Sequence, residues 1–340
     1  MIDLLVAGGG PAGLAAALNG ARAGLRVVVV EPKVGVIDKA CGEGLMPAAL
    51  RELRSLGVDP PGRDFRGISY IQGLSRASAD FASPGRGVRR VRLHEALLEA
   101  AERAGVERVQ GRVERIVQDE RSVRAAGLHA RWLIAADGLR SPIRAQLGLD
   151  RPARLPPRLG IRRHWLVRPW SDRVEVHWSD EAEAYVTPVS EEEVGVAYLW
   201  RGGGSPPYER LMAGFPALHQ RLAGAQPSST VAGAGPFERR VARRVAGRVL
   251  LVGDAAGYLD PLTGEGLRLG LEGARAAVGA VVAGRPESYE RAWWRLTRAY
   301  WWSTSALLWL ARHPWTRGRI VPVAAAVPGL MKAALGRLGG

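Results

Sequence analysis

A single cysteine, Cys41, stands in the whole chain, so no intramolecular disulfide is available and the composition fits a reducing compartment. Lysine is nearly as scarce: of 48 basic residues only Lys33, Lys39 and Lys332 are lysine, the rest arginine. The formal charge of +15 is therefore spread along the chain rather than gathered into a basic patch with interleaved aromatics, which argues against a nucleic-acid partner. The first reading of this Arg-rich, Lys-poor balance is codon bias, and attraction to an acidic membrane surface or anionic substrates is the secondary one. Long apolar runs are missing too. The start, Ile2 to Ala7, is too short for a signal peptide and lacks a basic leader. Trp301 to Ala311 falls well short of the ~20 residues a spanning helix needs. The expected location is cytoplasmic, with at most peripheral membrane contact. There is no low-complexity tract and no internal repeat.

What is present is patterned. At 340 residues the chain can bury a large core and hold two closely joined domains. The apolar run at residues 2–7 ends at Gly8-Gly9-Gly10, a helical stretch runs from Pro11 to about Ala23, and a second run, Leu25 to Val30, closes on Glu31. This is a βαβ unit in ~30 residues. Leu93, Leu97 and Leu98 mark a helix near Val88–Gly105, and two further strands, Trp132–Ala136 and Arg248–Val252, each lead into a Gly/Asp pair. Between them, Gly160–Val167, Arg173–Trp178, Ala184–Pro188 and Val194–Trp200 alternate with polar turns, which predicts an antiparallel sheet. Gly202-Gly203-Gly204 breaks this pattern, one helix is expected over Pro207–Leu222, and the chain from Glu287 reads as helical and rich in tryptophan.

Each glycine of Gly8-x-Gly10-x-x-Gly13 has a mechanism: the first makes the turn, the second admits a pyrophosphate to backbone amides, the third allows close helix–strand packing. Pro11 suits a first helical turn, whose positive end favours phosphate. Glu31 ends the second strand, where a carboxylate accepts from ribose hydroxyls and repels a 2′-phosphate. The unit is thus a dinucleotide site, and NAD and FAD share its fingerprint.

Other segments discriminate. Trp132–Arg144, with Asp137-Gly138, resembles the DG motif of flavin-dependent aromatic hydroxylases, and Arg248–Gly257, with Gly253-Asp254, resembles their GD motif. Arg90 with Leu93 and Leu97 is similar to their Arg-x-x-Leu-x-x-x-Leu helix. The segment Asp38–Pro47, with Cys41-Gly42-Glu43-Gly44, resembles the Cys-Gly-x-Gly segment of geranylgeranyl-reductase-like flavoproteins. The resemblance implies the fold of para-hydroxybenzoate hydroxylase: α/β, with a Rossmann-like FAD-binding domain, an inserted antiparallel-sheet substrate domain and a helical C-terminal tail. The corresponding divisions are 1–66 with 85–150 and 240–285 for FAD, 67–84 with 151–239 for substrate, and 286–340 for the tail. It also implies FAD contacts at Gly8, Gly10, Pro11, Ala12, Gly13, Glu31, Pro32, Lys39, Cys41, Gly42, Arg90, Val113, Asp137, Gly138, Gly253, Asp254, Pro261, Gly264, Gly266 and Leu267. Asp254 would hold the ribityl chain, and the backbone of the Pro261–Leu267 segment would lie against the flavin pyrimidine. NAD(P)H is implied as a transient electron donor that visits without a fold of its own, so the lack of a second Gly-rich βαβ unit is expected. No metal is implied.

The subfamily contains hydroxylases and isoprenoid saturases, and the sequence leaves both open. The first expectation is an FAD-dependent monooxygenase acting with NAD(P)H and O2 on a hydrophobic or alkylated, polyketide- or lipid-like aromatic. The alternative is an ene-reductase of the geranylgeranyl reductase type, in which Cys41 is a candidate proton donor; a small packed side chain is the other reading of that residue. Substrate is expected between the flavin and the sheet, on a face offering His164, Trp165, His177, Trp178, Tyr185 and Tyr198, with no catalytic role given to the histidines. Tail tryptophans Trp293, Trp294, Trp301, Trp302, Trp309 and Trp315, with Arg291, Arg295, Arg298 and Arg312, read either as packing over the substrate domain or as an interfacial segment.

Overall fold

The computed structural model describes residues 1–202, 204, 206–327 and 329. Its first sheet is built on Ile2–Ala7, which pairs in parallel with Val27–Glu31 on one side and Leu128–Ala135 on the other. Val249–Leu251 and Glu107–Gln110 extend it, again in parallel. A strand flanked on both sides and covered on both faces reads as an unbroken apolar run, and Leu4, Leu5 and Val6 are fully buried. The helices Pro11–Arg22, Arg90–Arg103 and Gly266–Val282 pack on this sheet through Leu14, Leu97 and Leu271.

The second sheet joins Arg158–Leu166, Glu193–Arg201, Ala182–Pro188 and Val174–Trp178 in antiparallel order, close to the runs expected from alternation. It continues where alternation gave no warning. Arg63–Gln72 pairs in parallel with Val174–Trp178 and antiparallel with Ser75–Gly87, so the sheet is mixed. The single helix expected over Pro207–Leu222 is two, Tyr208–Ala213 and Pro216–Leu222. Pro216 has no N–H to give an earlier carbonyl and drives Phe215 out of helical geometry (φ −132°, ψ 72°).

The C-terminal helix Ser288–Arg312 buries Tyr289, Trp293, Tyr300 and Leu308 and is followed by Pro314–Arg317 and Ile320–Ala326. Buried ion pairs tie this layer to the second sheet. Glu183 meets Arg158 and Arg317, each at 2.8 Å, and Arg158 also reaches Asp260 at 2.7 Å. Asp260 immediately precedes the Pro261–Leu267 segment, so the tail helps to fix a wall of the site. Residues 328 and 330–340 of the expected tail, and Gly203 of the glycine run, lie outside the described residues.

Candidate cofactor and active site

One cavity of about 540 Å3 runs between the two sheets. At its first end the glycine turn is dictated by sterics. Gly8 has φ +107°, and a Cβ there would lie 2.5 Å from the Ala136 carbonyl oxygen. A Cβ on Gly13 would lie 1.9 Å from the Gly8 oxygen, so only glycine lets the helix start this close to the strand. At Gly10 a Cβ would meet nothing within 4 Å, because that position opens on the cavity beside Pro11 and Ala12. Glu31 braces the turn: its carboxylate accepts from Gly9 N at 2.7 Å and Lys33 N at 3.0 Å. His94, unnoticed in the sequence, braces it from behind. Ile37 N donates to Nδ1 at 3.1 Å, which leaves Nε2–H to donate to the Gly9 carbonyl at 2.8 Å. Burial holds this imidazole's pKa below the ordinary histidine value, consistent with that neutral tautomer.

The middle of the cavity is lined by the ends of two strands and the start of Gly266–Val282. Asp137 accepts from Ile143 N through Oδ2 at 3.1 Å, while its buried Oδ1 has no partner. Arg90 Nη1 is buried and unpaired as well. Burial pushes the Asp254 carboxyl up, against the opposing pull of Lys39, Arg90 and Arg144. Arg144 holds the motifs together, bonding Asp150 at 2.6 Å and the carbonyl of Ala255 at 3.2 Å. Every FAD contact expected from the sequence lines this cavity except Gly13, whose place is behind the turn.

The sheet end is different. Ile68, Tyr70, Val174, Val176, Tyr185 and Leu199 form an apolar wall. Of the six aromatic and histidine residues expected on one face, only Tyr185 lines the cavity. Neighbours on a strand point to opposite faces, so His164 and Trp165, or His177 and Trp178, cannot share one. Trp165 and Tyr198 pack on the far face with Tyr208 and Phe215. Beside Cys41 lies a buried polar cluster that sequence reasoning missed. Glu43, at φ +60°, accepts from His164 Nε2 at 2.5 Å and from Arg90 N at 2.7 Å. Arg162 bonds Asp38 at 2.6 Å and contacts His164 Nδ1 at 3.1 Å, and Ser229 Oγ lies 2.8 Å from that same Nδ1. A partial signal existed: Arg158, Arg162 and His164 share one parity on a strand whose other face carries Leu159, Ile161 and Trp165, though Arg163 interrupts that face. Cys41 is half-buried on the cavity wall, its Sγ accepting from Glu43 N at 3.4 Å. Burial pushes its thiol pKa up.

A cavity with a glycine-lined anion end, unpaired buried groups from Asp137 and Arg90 in its middle and an apolar far wall has the donor set that a flavin dinucleotide requires. Comparison with known proteins agrees. Two FAD binding domain families match the chain, one over residues 88–283 and one over 3–66. The chain is similar to menaquinone reductase of Mycobacterium tuberculosis (29% identity over 306 residues, 81% of this chain and 75% of that protein). It is also similar to digeranylgeranylglycerophospholipid reductase 1 of Methanopyrus kandleri (31% over 303 residues, 79% and 77%). Among solved structures, p-nitrophenol 4-monooxygenase of Pseudomonas putida superposes with a TM-score of 0.81 at 20% identity, covering 100% of this chain and 98% of that one, a likeness of fold. No described helix is long and apolar enough to cross a membrane. The chain belongs to the FAD-dependent oxidoreductases of the para-hydroxybenzoate hydroxylase fold, in their geranylgeranyl-reductase-like branch.

Proposed function

We propose that this flavoprotein saturates carbon–carbon double bonds in an isoprenoid chain. The observation that carries the reading is the apolar wall of Ile68, Val174, Val176 and Leu199, facing the same cavity as the cofactor motifs. It suits an alkyl chain and excludes water from the reacting end. Relatives covering about four-fifths of the chain support it, since their names denote reductases of molecules that carry isoprenoid chains. Hydroxylation of a hydrophobic aromatic with O2, the first expectation from the sequence, shares the fold and is the competing outcome below.

The backbone at Gly10 and Ala12, on the positive end of the Pro11–Arg22 helix, would hold the FAD pyrophosphate. Glu31 would accept from the ribose, Asp254 from the ribityl chain, and Gly264 to Leu267 would border the flavin pyrimidine. Reduced FAD supplies hydride when bound, with NAD(P)H as the proposed donor. The chain's own contribution is placement and a proton. Cys41 lines the cavity and keeps its Sγ–H through neutral pH because burial disfavours the thiolate; it would give that proton to the alkene carbon next to the one that takes hydride, and the thiolate so formed would take a proton back from solvent before the next turnover.

The holoprotein should be incubated with NAD(P)H and a polyprenylated quinone, with and without labelled O2. The expected product is heavier by two hydrogens and forms anaerobically, and Cys41→Ser slows its formation by about tenfold or more while flavin reduction by the donor persists. A product that carries labelled oxygen and requires O2 would overturn the proposal in favour of the hydroxylase.

A further inference from the structure

The Ser288–Arg312 helix has two unlike faces. The inner face buries Tyr289, Trp293, Thr297, Tyr300, Thr304, Leu308 and Ala311 at three- and four-residue spacing. The outer face presents Trp294, Trp302 and Trp309, with Trp302 71% exposed, among Arg291, Arg295, Arg298 and Arg312. Trp315, 69% exposed, follows just beyond its end. The helix has a single acid, Glu290, and it is engaged by Arg244. None of the four outer arginines forms an ion pair among the described residues. Indole rings left in water beside unpaired guanidinium groups make an amphipathic surface whose partner must be both apolar and anionic.

We infer that this face docks on an anionic lipid bilayer, with the helix parallel to the membrane plane. The indoles would sit at headgroup depth and the arginines on lipid phosphates, the arrangement that suits both side chains. No described helix can cross, so the contact is one of lying on the surface. Charge decides against a second copy of this chain as the occupant. An isologous contact would set the arginine-rich face against itself on a chain of net charge +15, whereas phosphates neutralise it.

The same helix forms the back of the active-site wall. Tyr300 Oη accepts from Leu259 N at 3.1 Å and Asp260 N at 2.9 Å. Thr304 Oγ1 lies 3.4 Å from Thr263 Oγ1, and Pro261 to Gly264 line the cavity. Bilayer and cavity would thus be separated by one helix, about 10 Å across. That a lipid-borne substrate enters from the docked face rests on the reductase reading; the docking itself does not.

The holoprotein should be sedimented with phosphatidylcholine vesicles and with vesicles containing phosphatidylglycerol. Wild type is expected to pellet with the anionic vesicles and to be released as salt rises. The Trp294→Ser/Trp302→Ser/Trp309→Ser variant should lose about tenfold or more in partitioning, as removing buried indole area predicts. It should keep its flavin absorbance and melting temperature, since all three side chains are exposed. Leu74→Ser, at an exposed apolar residue in the turn between Arg63–Gln72 and Ser75–Gly87, should bind as wild type does. Unchanged partitioning of the tryptophan variant, or equal binding to neutral vesicles, would overturn the inference. So would a wild type that ignores vesicles but self-associates through these residues in analytical ultracentrifugation. Sedimentation needs no turnover, so its result stands whichever reaction the enzyme performs.

Discussion

The two ends of the cavity are built on different principles. At the nucleotide end, Gly8, Gly10, Gly13 and Glu31 all come from one βαβ unit, and the turn works because side chains are missing. At the sheet end, the side chains of Glu43, Arg162 and His164 and the backbone N–H of Arg90 converge from segments far apart in the chain, and the site works because polar and charged groups find one another out of water. The first is sensitive to any added side-chain atom at Gly8 or Gly13. The second tolerates changes of shape poorly and changes of charge worse, since removing one buried partner strands the others.

The largest effect should come from the sheet end. Glu43→Ala leaves His164 Nε2, Arg90 N and the Arg162 guanidinium without their shared carboxylate, so urea unfolding should show a loss of about 3–5 kcal/mol. Glu43→Gln, which keeps an acceptor oxygen, should lose visibly less. If the alanine variant were as stable as wild type, the polar cluster would not be what holds this end.

A smaller, sharper contrast belongs to the glycine turn. Gly13→Ala drives a Cβ to 1.9 Å from the Gly8 oxygen and should cost about 1–3 kcal/mol by overpacking, with flavin lost on gel filtration. Gly10→Ala has open space around its Cβ and should leave the melting temperature of the apoprotein alone while weakening FAD, because the methyl would occupy the cavity. Equal destabilisation by both would mean that the turn, rather than the ligand, needs the second glycine.

The smallest effect is a pH dependence that reports on Asp254. Its folded pKa is raised by burial, so the folded apoprotein binds this proton more tightly than the unfolded chain does. The apoprotein should therefore gain stability from this group as pH falls through the raised value, and lose it as pH rises. FAD retention should move the opposite way if the carboxylate is the ribityl acceptor, weakening as pH falls through that value. Isothermal titration of FAD into wild type and Asp254→Asn checks this. A pH profile of affinity that is the same in both proteins would remove Asp254 from the flavin contacts.

Much was legible in one dimension. Period-two and helical spacing located the strands and most helices, although Pro216 split one helix and the strands Arg63–Gln72 and Ser75–Gly87 gave no clear alternation. The nucleotide end was readable because its constraints are local. A glycine that must avoid its neighbour's carbonyl, or a proline at a helix start, leaves its mark within a few residues.

What the sequence determined by itself was therefore the cofactor: the glycine turn, the strand-end aspartates and the family of folds that places them around one dinucleotide. The tertiary structure alone decided which side chains face the sheet end of the cavity. Strand parity sent Trp165 and Tyr198 to the far side and brought His164 to Glu43, and the C-terminal helix turned some tryptophans inward and others out. The reason is physical. Backbone geometry is set by near neighbours, but the partner of a buried charge and the facing of an indole are set by segments distant in the chain, as Tyr208 is from Trp165 and Glu43 from His164, and no local pattern encodes which of them will meet.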